Sequence, residues 1–206
     1  MKTTNVKVSQ KTLRLTTMGI LTAIMILMAF TPIGYIKAGV VEITLYAIPV
    51  AIGAILFGPM GGLYLGTVFG LTSFLQCFGM SAFGTTLFSL KPVATFILCM
   101  VPRMLMGFLS GYICQLMKKY CSKTIVNYLV TSFAAAFLNT VFFTTMLLIF
   151  FYSTDFIRSM VVDMQAANPF IFAVMFVGIN GLVEMIATMV VSTPLAKAIA
   201  KVWDRI

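Results

Sequence analysis

The sequence predicts an all-α polytopic membrane protein: a compact bundle of six transmembrane helices, a single domain over residues 1–206, with both termini cytoplasmic. Three observations predict it. Hydrophobic residues make up 61% of the chain and charged residues 9%, against roughly 45–50% and about 25% in soluble domains. The apolar residues fall in long runs, and a helix crossing the ~30 Å hydrocarbon core needs ~20 of them. The bases collect at three places between those runs, namely Lys2, Lys7, Lys11 and Arg14 at the start, Lys118, Lys119 and Lys123 in the middle, and Lys197, Lys201 and Arg205 at the end. A chain of this length holds about six spans and little else.

Taken in order, the first span is Leu13–Ile33, closed by Pro32 and Gly34. Its apolar run is longer than the ~7–15 residues of a cleaved leader's core, and no A-x-A site follows, so it reads as a retained helix. A short loop, Tyr35–Glu42, precedes a second span at Ile43–Phe57, which contains Pro49. At ~1.5 Å per residue that span covers only ~23 Å, so it must be kinked, extended into its loop or shielded by other helices. Gly58-Pro59-Met60-Gly61-Gly62 reads as a tight turn, proline and glycine being the strongest local punctuation. The third span is Gly61–Phe78, followed by an apolar loop, Gly79–Lys91. Pro92–Leu116, Ile125–Tyr152 and Pro169–Leu195 complete the six, with a polar loop over Ser153–Asn168. The inner segments then hold ten bases and one acid, Asp204, while the outer loops hold three bases (Lys37, Lys91, Arg158) and three acids (Glu42, Asp155, Asp163). That asymmetry is the positive-inside pattern. Tyr120 and Trp203 on the inner side, with Tyr35 and Tyr152 on the outer, match an interfacial aromatic belt.

The same arithmetic excludes whole classes of function. The chain is too apolar for a cytosolic enzyme or a disordered segment. Its formal charge of +9 is gathered at span ends and not spread over a basic face, so nucleic acid is not an expected partner. Histidine is absent, which removes Ser-His and Cys-His catalysis and His-ligated metals. Cys77, Cys99, Cys114 and Cys121 stand singly without a CxxC pair, so neither a zinc site nor a redox dithiol is indicated. There is no phosphate-binding glycine loop, and no metal or cofactor is expected.

Small residues recur at helical spacing. Gly58, Gly62, Gly66 and Gly70 stand four apart, as do Gly107 and Gly111, Gly19 and Ala23, and Ala196 and Ala200. Positions i and i+4 share a helix face, and small stripes let helix backbones approach closely in lipid. Those of the third and fourth spans are expected to pack inside the bundle; the pair on the first span is the best candidate for an external helix.

Polar residues inside the spans form the second pattern. An ionisable group at membrane depth costs at least ~2.5 kcal/mol and normally faces a cavity or a partner. Counted from the outer ends at ~1.5 Å per residue, Gln76 lies ~3 Å deep, Arg103 and Asn180 ~16 Å, Asn139 ~20 Å and Glu184 ~22 Å. The fourth, fifth and sixth spans thus converge on one level, which suggests a polar pocket reached from outside. Arg103 either pairs with Glu184 or serves as an anion ligand; if it pairs, Lys91 and Lys37 at the outer mouth are the better partners for a carboxylate. Halves 1–103 and 104–206 show no internal repeat, and one intramembrane acid is few for a secondary carrier. An intramembrane enzyme would need paired acids, a histidine or a serine with a base.

The string Ile48-Pro49-Val50-Ala51-Ile52-Gly53-Ala54-Ile55-Leu56-Phe57-Gly58-Pro59-Met60-Gly61-Gly62, its continuation Gly66-Thr67-Val68-Phe69-Gly70-Leu71-Thr72-Ser73-Phe74, and Val101-Pro102-Arg103-Met104-Leu105-Met106-Gly107-Phe108-Leu109-Ser110-Gly111 resemble the second to fourth helices of the substrate-binding subunits of energy-coupling-factor (ECF) vitamin transporters, most nearly the pantothenate branch. Tyr46 stands where that branch often has a histidine. The resemblance implies a capture subunit for a small water-soluble vitamin or precursor, with pantothenate favoured and riboflavin, pyridoxine-like compounds and folate as alternatives. It also implies a transmembrane coupling subunit and two ATPase subunits as partners, and delivery by toppling in the membrane. Carried over position by position, it implies a pocket drawing on Arg103, Asn139, Asn180 and Lys91, with Gln76 and Tyr35 beside them, and docking through Gly19 and Ala23; Glu184 joins the candidate site from its depth alone.

Overall fold

A computed structural model describes the backbone of residues 9–31, 35–38 and 41–203, and the side chains of 9–31, 44–178 and 181–203. Lys2, Lys7, Asp204 and Arg205 of the charge pattern, and the side chains of Tyr35, Lys37, Glu42 and Asn180, lie outside them. In chain order the elements are α1 (Gln10–Ala29), β1 (Tyr35–Ala38), β2 (Val41–Thr44), α2 (Ala47–Gln76), α3 (Ala82–Leu90), α4 (Pro92–Tyr120), α5 (Thr124–Phe151), α6 (Asp155–Asp163) and α7 (Pro169–Trp203). Among the described residues, five helices are long and apolar enough to cross a bilayer: α1, α2, α4, α5 and the Gly181–Trp203 part of α7. The large apolar side chains they turn outward, among them Leu15, Val93, Ile149 and Val190, form the surface expected to meet lipid.

The second of these helices is broken. Gly58 has φ 73° and ψ −158°, a region closed to residues with a Cβ and open to glycine, and Pro59 follows. In a straight helix Gly53 and Leu65 would stand ~18 Å apart. Here a Cβ on Gly53 would collide with the Leu65 side chain, and one on Gly62 would lie 3.2 Å from the Ala54 Cβ. The chain doubles back at the turn the sequence marks. The arm before Gly58 is ~16 Å long at 1.5 Å per residue, too short to cross unaided. It survives because neighbours shield it: Ala47, Val50, Ala51, Ala54 and Ile55 are fully or almost fully buried.

Three segments expected to be loops carry regular structure. Tyr35–Glu42 contributes to an antiparallel hairpin in which Ile36 pairs with Ile43 and Lys37 with Glu42. β-Branched residues suit a pleated surface, and opposite charges at facing positions favour this register. Gly79–Lys91 contains α3, started by Ser81, whose Oγ accepts from the Gly84 N–H at 3.3 Å. That is N-cap chemistry. Ser153–Asn168 contains α6, which buries Ile157 and Met160, one helical turn apart, beneath an otherwise polar face.

The glycine stripes locate the centre of the bundle. A Cβ on Gly62 would strike the Gly107 carbonyl, one on Gly107 the Gly62 carbonyl, and one on Gly66 the Arg103 carbonyl. A Cβ on Gly70 would stand 3.0 Å from the Cys99 carbonyl oxygen, and Gly111 packs on the Gly58–Pro59 backbone. The second arm of α2 and α4 therefore touch backbone to backbone over their length. Two apolar clusters flank this seam, one from α1, α2, the second half of α4, the first half of α5 and the last turns of α7, the other from α3, α6 and the opposite ends of α4, α5 and α7. Phe57 and Trp203 meet at 5.3 Å at the end of the bundle where α2 turns.

Candidate functional site

Between the two clusters lies a cavity of about 140 Å³, walled by the end of α2, by α3, α4, α5 and α7, and by Thr44 at the end of β2. An engineered cavity of about 150 Å³ accepts benzene, so this space takes a small organic molecule.

The α2–α4 seam places its cation. Gly66 holds the Arg103 backbone close to α2, and the side chain, almost fully buried, runs between two aromatic faces, 5.3 Å from the Phe69 centroid and 4.6 Å from that of Phe143. Such faces attract a guanidinium, more strongly once it is desolvated. Nη1 donates to the Leu98 carbonyl at 2.6 Å, while buried Nε has no hydrogen-bond partner among the described residues. Across the cavity, Glu184 Oε1 accepts from Thr44 Oγ1 at 2.9 Å and from Asn139 Nδ2 at 3.3 Å. The other amide atom, Asn139 Oδ1, is buried without a partner among the described residues. Buried polar atoms are rarely left so. One unpaired donor and one unpaired acceptor thus lie in residues that line the same cavity, and Glu184 forms no ion pair with Arg103 among the described residues.

Of the residues singled out from the sequence, Gln76, Arg103, Asn139 and Glu184 line this one cavity. Gln76 also donates from Nε2 to the Ala29 carbonyl at 2.9 Å, tying α2 to the end of α1. Lys91 is not part of the wall: its Nζ donates to the Phe150 carbonyl at 2.8 Å and sits 5.9 Å from the Phe151 ring, at the exposed junction of α3 and α4. The side chains of Asn180 and Tyr35 lie outside the described residues. Thr44, Ser81, Phe83, Cys77 and Cys99 line the cavity unforeseen. Ser81 and Phe83 belong to a segment read as loop, Thr44 to the start of a span, and the cysteines are 22 residues apart, so no local spacing joins them. Gly19 and Ala23 lie on the outward face of α1, and a Cβ on Gly19 would meet nothing within 4 Å.

A family model described as the substrate-specific component of ECF transporters matches residues 13–196. The chain belongs to this family. The match spans every long helix, including the broken α2 and the cavity walls. No curated protein matches the chain. As an ECF substrate-specific component, the protein is a multi-pass membrane subunit that confers substrate choice on a transporter and is not itself an enzyme. Membership implies a small-molecule substrate and partners that supply coupling and ATP hydrolysis.

Proposed function

We propose that this ECF component captures a small water-soluble vitamin or precursor, with pantothenate favoured, in the cavity between α3, α4, α5 and α7. In this reading the chain crosses the membrane six times, the two arms of α2 counting separately, with both termini cytoplasmic and the cavity facing out. The loaded subunit docks through Gly19 and Ala23 on a transmembrane coupling subunit carrying two ATPase subunits, and topples to release its cargo inward.

One observation supports the substrate class above the rest: the buried Arg103 guanidinium has an unpaired Nε on the same cavity as the Asn139 amide and the Glu184 carboxylate. A carboxylate is the natural partner for a desolvated guanidinium. A hydroxyl or amide N–H elsewhere on the ligand can donate to Asn139 Oδ1. Pantothenate carries a carboxylate, an amide and two hydroxyls on one short chain. Folate and riboflavin are larger than pantothenate, and a cavity of about 140 Å³ counts against them; pyridoxine, which is small but has no carboxylate, lacks the partner for Arg103.

The test is equilibrium binding of radiolabelled pantothenate to the detergent-purified subunit, with riboflavin, pyridoxine and folate as competitors. Arg103→Ala should weaken binding at least tenfold, since a hydrogen bond to a charged group contributes about 1.5–3 kcal/mol, while the protein stays monodisperse. Binding of another vitamin with no affinity for pantothenate would overturn the substrate; unchanged affinity in Arg103→Ala would remove the guanidinium from the site.

A further inference from the structure

Cys77 and Cys99 are 22 residues apart, yet their sulfurs lie 3.9 Å from each other, both buried and both in the cavity wall. Neither is in a disulfide. The α2–α4 seam brings them together: a Cβ on Gly70 would stand only 3.0 Å from the Cys99 carbonyl oxygen. Cys77 adjoins the last residue of α2, where its thiol can also donate to the Ser73 carbonyl at 3.4 Å. On the other side, α3 rests on the same sulfur: a Cβ built on Gly84 would stand 2.8 Å from Cys77 Sγ. Ser81, Phe83, Gly84 and Leu87 are the part of the wall that α3 supplies. Arg103 follows Cys99 by four residues on α4 and so shares its face. By contrast Cys114 faces the Ile55 carbonyl deep in the first apolar cluster, and Cys121 caps α4 outside the cavity.

We propose that Cys77 and Cys99 are a dithiol modification site in the cavity wall, oxidised to a disulfide by small peroxides, and that the bond repositions α3. The chemistry balances. One sulfur, as its thiolate, attacks a peroxide oxygen, breaks the O–O bond and becomes a sulfenic acid, releasing hydroxide, which takes up the thiol's proton to leave as water. The second sulfur attacks the first and expels its hydroxyl group, which leaves as water with the second thiol's proton. Two thiols and one hydrogen peroxide give one disulfide and two waters, the peroxide accepting both electrons. A cavity that admits a polar small molecule admits hydrogen peroxide. Joining the sulfurs, now 3.9 Å apart, at a bond length of about 2 Å shifts the Cys77 sulfur against which Gly84 packs, and with it the seat of α3. The inference stands on the cavity geometry alone, independently of which vitamin binds.

The experiment uses the full chain, purified under reducing conditions and exposed to hydrogen peroxide. Thiols are then tagged with a maleimide in denaturant, and proteolytic peptides are read by mass spectrometry. Two of the four thiols should disappear together, with a cross-linked peptide joining Cys77 to Cys99, and dithiothreitol should restore both. Cys77→Ser and Cys99→Ser should each abolish the cross-link, whereas the double variant Cys114→Ala/Cys121→Ala should keep it. Hydrogen–deuterium exchange over 82–90 should differ between the reduced and oxidised forms. Oxidation of single cysteines without a cross-link, or loss confined to Cys121, would overturn the dithiol. A cross-link that leaves exchange over 82–90 unchanged would overturn the link to α3. Failure of pantothenate to bind would leave both results standing.

Discussion

The stripe on α2 and the pair on α1 have the same spelling, small residues four apart, and opposite surroundings. Gly62 and Gly66 are so closely covered by α4 that there is no room for a methyl group, and at Gly70 a Cβ would stand only 3.0 Å from the Cys99 carbonyl oxygen. On α1 the stripe that packs inward is Leu21, Met25 and Ala29, and Gly19 and Ala23 are turned away from the bundle beside exposed Leu15, Ile20 and Leu27. Spacing alone therefore says that a helix can be approached closely and not by what. The neighbours on the same helix decide it. The α2 stripe is flanked by Leu65 and Phe69, both fully buried, so the apolar and small faces coincide and are spent on one internal seam. On α1 the large residues that pack inward lie on a different face from the small ones, which leaves the small face for something outside the chain.

Gly62→Leu and Gly107→Leu should show the largest effect. Ordinary overpacking costs about 1–3 kcal/mol because side chains can shift aside. At these positions the obstacle is a carbonyl on the opposing backbone, so the helices themselves must separate. We expect no monodisperse protein from either variant. A folded Gly62→Leu protein of near-normal melting temperature would show that the seam is looser than described.

A gentler change at the same seam should move the cavity as well as the stability. The site of a Cβ at Gly66 is occupied by the Arg103 carbonyl, and Met104 Cα would stand 3.3 Å away. Gly66→Ala should therefore displace the turn that carries the guanidinium. The expected result is a folded protein with a lowered melting temperature and weaker pantothenate binding, both smaller in effect than those of Gly62→Leu. Gly70→Ala is the milder comparison: the nearest atom to its Cβ is the flexible Met100 Sδ at 2.9 Å, and the backbone atoms, the Cys99 carbonyl oxygen and Met100 Cα, stand at 3.0 Å, against a backbone carbonyl in direct overlap at Gly66. If the two variants lose affinity equally, the seam does not position Arg103 specifically.

The long helices, the reversal at Gly58 and the glycine seam were legible because each rests on a short-range rule: apolar run length, a Gly-Pro turn, spacing of four. The convergence of Arg103, Asn139 and Glu184 was legible as well, because depth in a membrane can be counted from span ends and buried polar residues are few enough to stand out; Gln76, counted at only ~3 Å deep, was not part of that level. What was not legible lies in the connections. α3 is short and apolar among apolar spans, so its periodicity has no contrast, and only Ser81 marks its start. The hairpin is four residues a strand, and its pairing sits in the register of Lys37 with Glu42, not in either strand alone. The absence of an Arg103–Glu184 ion pair could not be read either. Equal depth permits pairing, but the hydroxyl of Thr44 and the amide of Asn139 reach the carboxylate instead, and Phe69 and Phe143 hold the guanidinium. The thiol pair depends on the same seam, which brings the end of α2 to the early turns of α4.

The smallest effect on the fold is expected on α1, where it is the most informative about function. Gly19→Leu adds a side chain where a Cβ meets nothing within 4 Å, in a shallow depression edged by Lys11, Arg14, Met18 and Tyr64. Leucine is also a better helix former than glycine, by roughly 0.8 kcal/mol or less at an exposed position. The isolated subunit should therefore keep its melting temperature, or gain slightly, and keep its ligand affinity. Assembly is another matter. If a partner helix lies on this face, the leucine fills the notch that close approach requires, and co-purification with the coupling subunit should fall while binding by the free subunit does not. Ala23→Leu, one turn further along the same face, should behave alike. Loss of fold in Gly19→Leu would mean that α1 packs inward by this face and that its stripe is of the same kind as that of α2. Normal folding together with normal assembly would leave the face to lipid alone, and would move the docking surface to another helix.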